Sequence, residues 1–257
     1  MKKTAKFVAF LIIALVLLFI VIAVLALNLD RIARDAIETY GSKITKTSLT
    51  VQNVHIGLLD GKASVDGFVL GNPPGYKTPN AISVGKAAVA VKPMSFLSSK
   101  IVVRSVAVEG PEITFEGGLL SNNLKAIMDN VNGTAQKGGP TVTNASGNPK
   151  PSKRLEVDDF LITGAKINGS VRLPGGREIS VNNLRLPDIH LQNLGTGPAG
   201  ITATELTRQV FARIVSATVN TVAAHAQSLG QGVFKSGAVN ALKQRLGNLL
   251  RKQGSQQ

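Results

Sequence analysis

The sequence predicts a mainly β protein with α-helical ends. The expected parts are an N-terminal transmembrane helix, a strongly curved antiparallel β-sheet that forms a groove, and C-terminal amphipathic helices. Three observations carry this: a short pattern that recurs six times, an unbroken apolar run near the N-terminus, and a change to helical spacing after Pro198.

The pattern reads apolar, any, apolar, two polar or glycine residues, then apolar, any, apolar. It begins at Leu49 (LTVQNVHI), Ala63 (ASVDGFVL), Ile82 (ISVGKAAV), Ile101 (IVVRSVAV), Leu155 (LEVDDFLI) and Ile179 (ISVNNLRL). Each half keeps the two-residue period of a strand. The central pair slips the phase by one residue, as a β-bulge does, and a bulge bends and twists its strand. Six slips predict a curved sheet. In Phe68-Val69-Leu70, Val106-Ala107-Val108 and Phe160-Leu161-Ile162 both strand faces are apolar. One face can then pack on a core while the other lines a trough. Two segments also align at a constant offset. Ile101, Val103, Val106, Val108, Gly110 and Ile113 match Leu155, Val157, Phe160, Ile162, Gly164 and Ile167, which predicts one strand-turn-strand unit used twice.

The apolar run spans Phe7 to Leu27 behind Lys2, Lys3 and Lys6. At about 1.5 Å per residue it reaches about 30 Å, the thickness of a bilayer core. Its length favours an uncleaved anchor over a signal peptide, whose apolar region is shorter. The unopposed lysines before it favour a cytoplasmic N-terminus. The anchor covers residues 1–28. A short helix is expected over Asp30–Tyr40, with Gly41 as its stop, leading into a first β region within 29–131. Asp60-Gly61 marks a hairpin, and Asn122 or Asn123 caps a helical turn. Residues 132–153, rich in Gly, Pro, Asn, Ser and Thr, are expected to be an unstructured linker. The second β region is 154–200.

Residues 201–257 are expected to be amphipathic helices. Thr202 and Glu205 match a capping box, and Leu206, Val210, Ile214 and Ala217 keep helical spacing. After Glu205 there is no acidic residue, while seven basic ones follow. Arg208, Arg213, Lys243, Arg245, Arg251 and Lys252 are therefore candidates for contact with an anionic membrane surface.

The formal charge is +14, and there is no Cys and no Trp. The chain has no thiolate chemistry and no disulfides. Its scarce aromatics and scattered basic residues argue against nucleic acid. No H-E-x-x-H, Walker, G-x-G-x-x-G or G-x-S-x-G pattern occurs. His55, His190 and His225 stand in unlike segments, and Asp158-Asp159 reads as a polar bend. No catalytic residue, metal ligand or cofactor is expected.

Several segments together resemble the AsmA-like family of bacterial envelope proteins. They are the anchor with its short helix, LTVQNVHIGLLDGKASVDGFVLGNPPGY, MSFLSSKIVVRSVAVEGPEITFE, the step at Asn123-Leu124, and LPDIHLQNLGTGPAGITATEL before an amphipathic helix. The resemblance implies an apolar β-groove related to bridge-like lipid-transfer proteins. It further implies a single-pass inner-membrane protein with most of its chain in the periplasm. Its expected partner is phospholipid or another acyl lipid, and its role phospholipid trafficking or outer-membrane maintenance. The candidate lining is Val51, Ile56, Phe68, Leu70, Val106, Val108, Phe160 and Ile162. About ten strands at about 4.8 Å spacing give roughly 50 Å of groove, too short for one copy to bridge two membranes. Bridging would require a protein partner or a homo-oligomer. The alternative is a structural or assembly factor whose sheet and C-terminal helices dock a protein partner and carry no lipid.

Overall fold

The structure, a computed structural model, describes residues 28–57, 60–140, 142–143, 149–150, 153–173, 176 and 178–228. Among these residues no helix is long and apolar enough to cross a membrane. The expected anchor and the basic stretch after Ser228 lie outside the described residues.

One mixed sheet of ten strands curls into a half-barrel. Its first edge is β1 (Leu49–Thr50) and β2 (Asn53–Gly57), both paired antiparallel with β3 (Lys62–Gly71). The hairpin at Asp60-Gly61 forms as expected, with Gly61 N–H donating to the Gly57 carbonyl at 3.0 Å. Strand β4 (Asn80–Val91) follows, then a 3-10 turn at Pro93–Leu97, β5 (Lys100–Glu109) and β6 (Glu112–Gly118). After helix α2 (Asn123–Gln136) come the small pair β7 (Val142–Thr143) and β8 (Pro149–Lys150). The main sheet resumes with β9 (Arg154–Thr163), β10 (Lys166–Arg172), β11 (Glu178–Arg185) and β12 (Ile189–Leu194), before helix α3 (Ala203–Ser228).

The internal repeat is the pairing register itself. Strands β5 and β9 are parallel, and so are β6 and β10. Each residue faces the one 54 positions later: Lys100 faces Arg154, Val106 faces Phe160, Glu112 faces Lys166. The sheet is therefore mixed, which corrects the expectation of an antiparallel one. The segment between the copies is a crossover, so the second copy returns to run in the direction of the first, as parallel neighbours require.

Both copies turn at the same place. Gly110 and Gly164 have φ of 57° and 64°, the left-handed region that disfavours side chains. The ladder passes through this corner: Gly110 N–H donates to the Thr163 carbonyl and Lys166 N–H to the Pro111 carbonyl. The β11–β12 strand bends beside it, with Leu186 N–H on the Ala165 carbonyl at 2.9 Å. On the other side β4 runs past the corner unbroken, facing β6 at Ile82 and β5 from Lys86 onward.

The six polar pairs divide into two kinds. Arg104-Ser105 and Asn182-Asn183 are bulges, because the register slips by one residue at each. Asn183 takes φ 58° and its N–H donates to Asn168 Oδ1 at 2.8 Å. The other four show no slip, and of them only Asp66-Gly67 holds a left-handed residue. Gln52-Asn53 is the break between β1 and β2, opposite Asp66-Gly67, where Gly67 has φ 63°; Gly85-Lys86 faces that same bend. Asp158-Asp159 lies between the Arg104 bulge and Asn193, which has φ 57°. A left-handed residue bends a strand as a bulge does but leaves the count of residues equal on both sides.

Three helices cover the concave face. Helix α1 (28–45) runs along the β1–β2 edge and bonds its free N–H groups. Ser42 Oγ accepts from Leu49 N–H, Glu38 Oε1 from Val51 N–H at 2.8 Å, and Asp30 Oδ1 from Ile56 N–H at 2.9 Å. This helix passes Gly41 instead of stopping there. A Cβ at Gly41 would lie 2.4 Å from Leu49 Cδ1, so the glycine serves close packing against β1. Helix α2 begins at the Asn122 cap, whose Oδ1 accepts from Lys125 N–H at 2.9 Å. It extends through Gln136, so the expected linker of 132–153 is partly helical and partly the β7–β8 pair. Leu124, Ile127, Met128 and Val131 are the buried stripe that continues the helix past Gly133. Helix α3 starts with Thr202 Oγ1 accepting from Glu205 N–H at 3.1 Å. Glu205 does not complete the box; it binds Arg208 and Gln209. Helix α3 packs on β12, β9 and α2. Asn130 and Thr134 of α2 bond the Thr45 and Ile44 carbonyls of α1. The helices thus link the two sheet edges across one face, which makes that face the inside of the curl.

Two substitutions test this packing. Gly164→Val places a side chain on the left-handed corner and should lower stability by about 1–2 kcal/mol in urea unfolding. Thr218, buried in α3, has a hydroxyl without a hydrogen-bond partner. Thr218→Val should raise stability by about 1 kcal/mol, since it removes the cost of an unsatisfied buried oxygen.

Candidate functional site

The apolar side chains of the middle strands form rows across the concave face. One row is Val54, Val65, Ala87, Val108, Ile162 and Ile189; the next is Ile56, Ala63, Val89, Val106, Phe160 and Leu191. The rows are closed at their far end, where Ile162, Ile189 and Leu191 are buried against the core. Over β3, β4 and β5 they are only half-buried. Helix α1 flanks this stretch along one edge and α3 along the other, which leaves between them a strip of half-buried apolar side chains as the candidate trough.

The structure divides the expected lining. Val51, Leu70 and Ile162 are 1%, 3% and 4% exposed; they bind the sheet to its helices and offer a ligand no surface. Ile56, Phe68, Val106, Val108 and Phe160 are half-buried and packed against the core. Phe68 sits on the core side of the Gly67 bend, beside Leu70, while the other four share the two rows. Val65, Ala87 and Val89 belong to the same floor. Their segments carry the alternation that marks the face, but Ala87 is small and Val65 precedes a polar pair, so neither stood out. The middle residues of two apolar triplets, Ala107 and Leu161, point to the opposite face, in a row with His55, Ser64, Ala88 and His190.

That outer face is mixed, and over β2 to β5 it carries a cleft of about 370 Å³ lined by His55, Ser64, Lys86, Ala88 and Ala107 among others. His190 Nε2 lies 2.5 Å from Asp159 Oδ1, and the same carboxylate accepts from Gln192. The His190 contact, then that of Gln192, holds the Asp159 carboxyl below its ordinary range. His55 pairs with Asp30 at 3.4 Å. His225 lies in the last turn of α3. Among the described residues no three His, Cys, Asp or Glu side chains gather as a metal site would require.

The trough ends at the α2 side in a bolted junction. Asn123 is fully buried. Its amide donates to the Thr114 carbonyl at 2.7 Å and to Asn72 Oδ1 at 2.8 Å, and its oxygen accepts from Glu116 N–H. Asn72 in turn donates to Thr78 and Asn80. Beyond this junction lies a cleft of about 650 Å³ lined by Tyr76, Lys77, Glu116, Arg172 and Glu178 among others. Its lining is mixed, with Pro74, Leu119, Leu120 and Leu173 beside the charged groups, and it is separate from the apolar rows. Glu116 closes its loop by accepting from Lys77 N–H, Thr78 N–H and Thr78 Oγ1.

Of the basic candidates, Arg208 is half-buried and engaged by Glu205 at 2.6 and 2.8 Å. Arg213 is exposed on α3. Lys243, Arg245, Arg251 and Lys252 lie outside the described residues. No protein-family model, no curated protein and no solved structure matches this chain.

The Glu116 loop has a defined response to acid. Burial raises the Glu116 carboxyl, but the bonds from Lys77 and Thr78 outweigh it and hold the group below its ordinary 4.5. A depressed carboxyl stabilises the fold above its unfolded value, and that stabilisation is lost as pH falls through the folded one. Amide exchange of Lys77 and Thr78 should therefore quicken as pH drops below 4.5, once intrinsic exchange is corrected for. In Glu116→Gln the same amides should be fast at neutral pH.

Proposed function

We propose that this chain is a membrane-anchored, AsmA-like envelope protein that holds an acyl lipid along the trough. It then serves phospholipid trafficking or outer-membrane maintenance from the inner membrane, with the sheet on the periplasmic side. The observation that carries the reading is the floor of Ile56, Val65, Ala87, Val106, Val108 and Phe160. These apolar side chains lie side by side, half-buried, between two helices that leave them partly exposed. An acyl chain laid on them would contribute about 1 kcal/mol for each such side chain it covers. The anchor, read from the sequence, would keep the trough beside a lipid source.

Native mass spectrometry of the full chain, released from mild detergent, tests it. Lipid should stay bound at a copy number above that of an unrelated anchored protein. Val106→Asp should lower that occupancy at least about tenfold, because a carboxylate on the floor must be desolvated by the acyl chain. Background lipid in the parent protein, with Val106→Asp instead abolishing capture of a protein partner, would establish the assembly-factor reading in its place.

A further inference from the structure

We propose that the tip between β4 and β5 is a second membrane contact, which inserts Met94 and Leu97 into the anionic bilayer that holds the anchor. Met94 is 70% exposed and Leu97 84%. Both sit on the 3-10 turn Pro93–Leu97 and project from the rigid end of the half-barrel. The turn itself is well fixed. Ser95 is buried, its Oγ donates to the Lys92 carbonyl and accepts from Val102 N–H. Lys153 Nζ donates to the Phe96 and Ser98 carbonyls, which ties the turn to the start of β9. Fixed apolar side chains in water at a loop tip are costly unless something covers them.

The placement of the chain says what covers them. The β2–β3 hairpin meets this turn, with Val91 N–H on the Gly61 carbonyl at 2.7 Å. The first turn of α1 meets the same hairpin, through Asp30 to Ile56 N–H. Helix α1 is described from residue 28, and the apolar run ends one residue earlier, at Leu27. The exposed tip and the end of the anchor are therefore at one end of the molecule. Of the four exposed large apolar side chains among the described residues, Met94, Leu97 and Ile32 are at this end; Leu120 is at the other. The charges agree. Lys92, Lys153 and Arg154 are exposed around the tip. Of the nearby acids, Glu156 pairs with Lys100, and Asp60 is exposed at the neighbouring hairpin, where it accepts from Lys62 N–H beside the cations. Apolar side chains ringed by cations fit anionic headgroups over acyl chains.

The inference rests on the anchored reading of residues 7–27 and not on lipid in the trough. The chain has no Trp, so a single introduced Trp is the only indole emitter. Full-length Leu97→Trp, Leu120→Trp and Ala87→Trp proteins are reconstituted into phosphatidylethanolamine vesicles with and without phosphatidylglycerol. Nitroxide-labelled acyl chains serve as quencher. Leu97→Trp should be blue-shifted and quenched, more so with phosphatidylglycerol, while Leu120→Trp remains unquenched. Adding Lys92→Gln and Arg154→Gln should shift the inserted fraction toward the free one by about fivefold per charge, with Ala87→Trp unaffected. Equal quenching at positions 97 and 120 would overturn the inference. So would a blue shift at 97 that depends on protein concentration and ignores the quencher, which would mean that two copies meet there. Quenching at 97 without quenching at 87 would leave the tip in the bilayer and remove lipid from the trough.

Discussion

The in-register stacking of two copies of one bent strand governs the rest of the molecule. Strands β5–β6 and β9–β10 lie parallel, each residue beside its counterpart 54 positions later. A parallel ladder passes through a corner only if both strands turn at the same residue. Gly110 and Gly164 supply that turn with matching left-handed φ. The corner sets the curl of the sheet. It also places Val106 beside Phe160 and Val108 beside Ile162, so the apolar rows cross the copies without a step. The crossover between the copies then delivers α2 to the inner face, where its buried stripe fills one half of the curl.

The helices decide which part of the apolar face is closed. Helix α1 spends three polar side chains on the edge N–H groups of β1 and β2. This blunts an edge that would otherwise invite another strand. Helix α3 covers β12 at the opposite edge. Asn123 joins α2 to β6 and to the 72–80 loop with every polar atom of its amide satisfied. One half of the concave face is thereby a conventional core, centred on Ile113, Phe115 and Ile167. The other half keeps an apolar floor with helices only at its sides. This division lets one sheet be both a stable fold and a candidate trough. The exposed tip stands at one end of this floor, and the cleft lined by Tyr76, Glu116 and Leu120 at the other.

Much of this was legible in the chain. Alternation located the strands, because a residue's face follows from its parity. The Asp60-Gly61 hairpin and the Asn122 and Thr202 caps were legible because each depends on a few adjacent residues. The polar pairs did mark the bends, but could not show whether the chain bends by adding a residue, as at Arg104-Ser105, or by a left-handed φ, as at Gly67. The start of the expected linker is instead the last turn of α2, because Thr134 has the Ile44 carbonyl of α1 to bond, a contact that the local composition does not show.

The sequence by itself determined which residues are strand, which face each shares, and that one unit occurs twice. These are local or periodic properties. Only the tertiary structure decided that the copies are parallel neighbours, since equivalence in sequence carries no adjacency in space. It alone decided that Val51, Leu70 and Ile162 are closed core while Ile56, Val106 and Phe160 stay open. All six are apolar residues of one face, and what separates them is where α1, α2 and α3 come to rest. The tip follows the same rule: Met94 and Leu97 are ordinary apolar residues in a turn until the fold sets them at the end of the molecule where helix α1 begins.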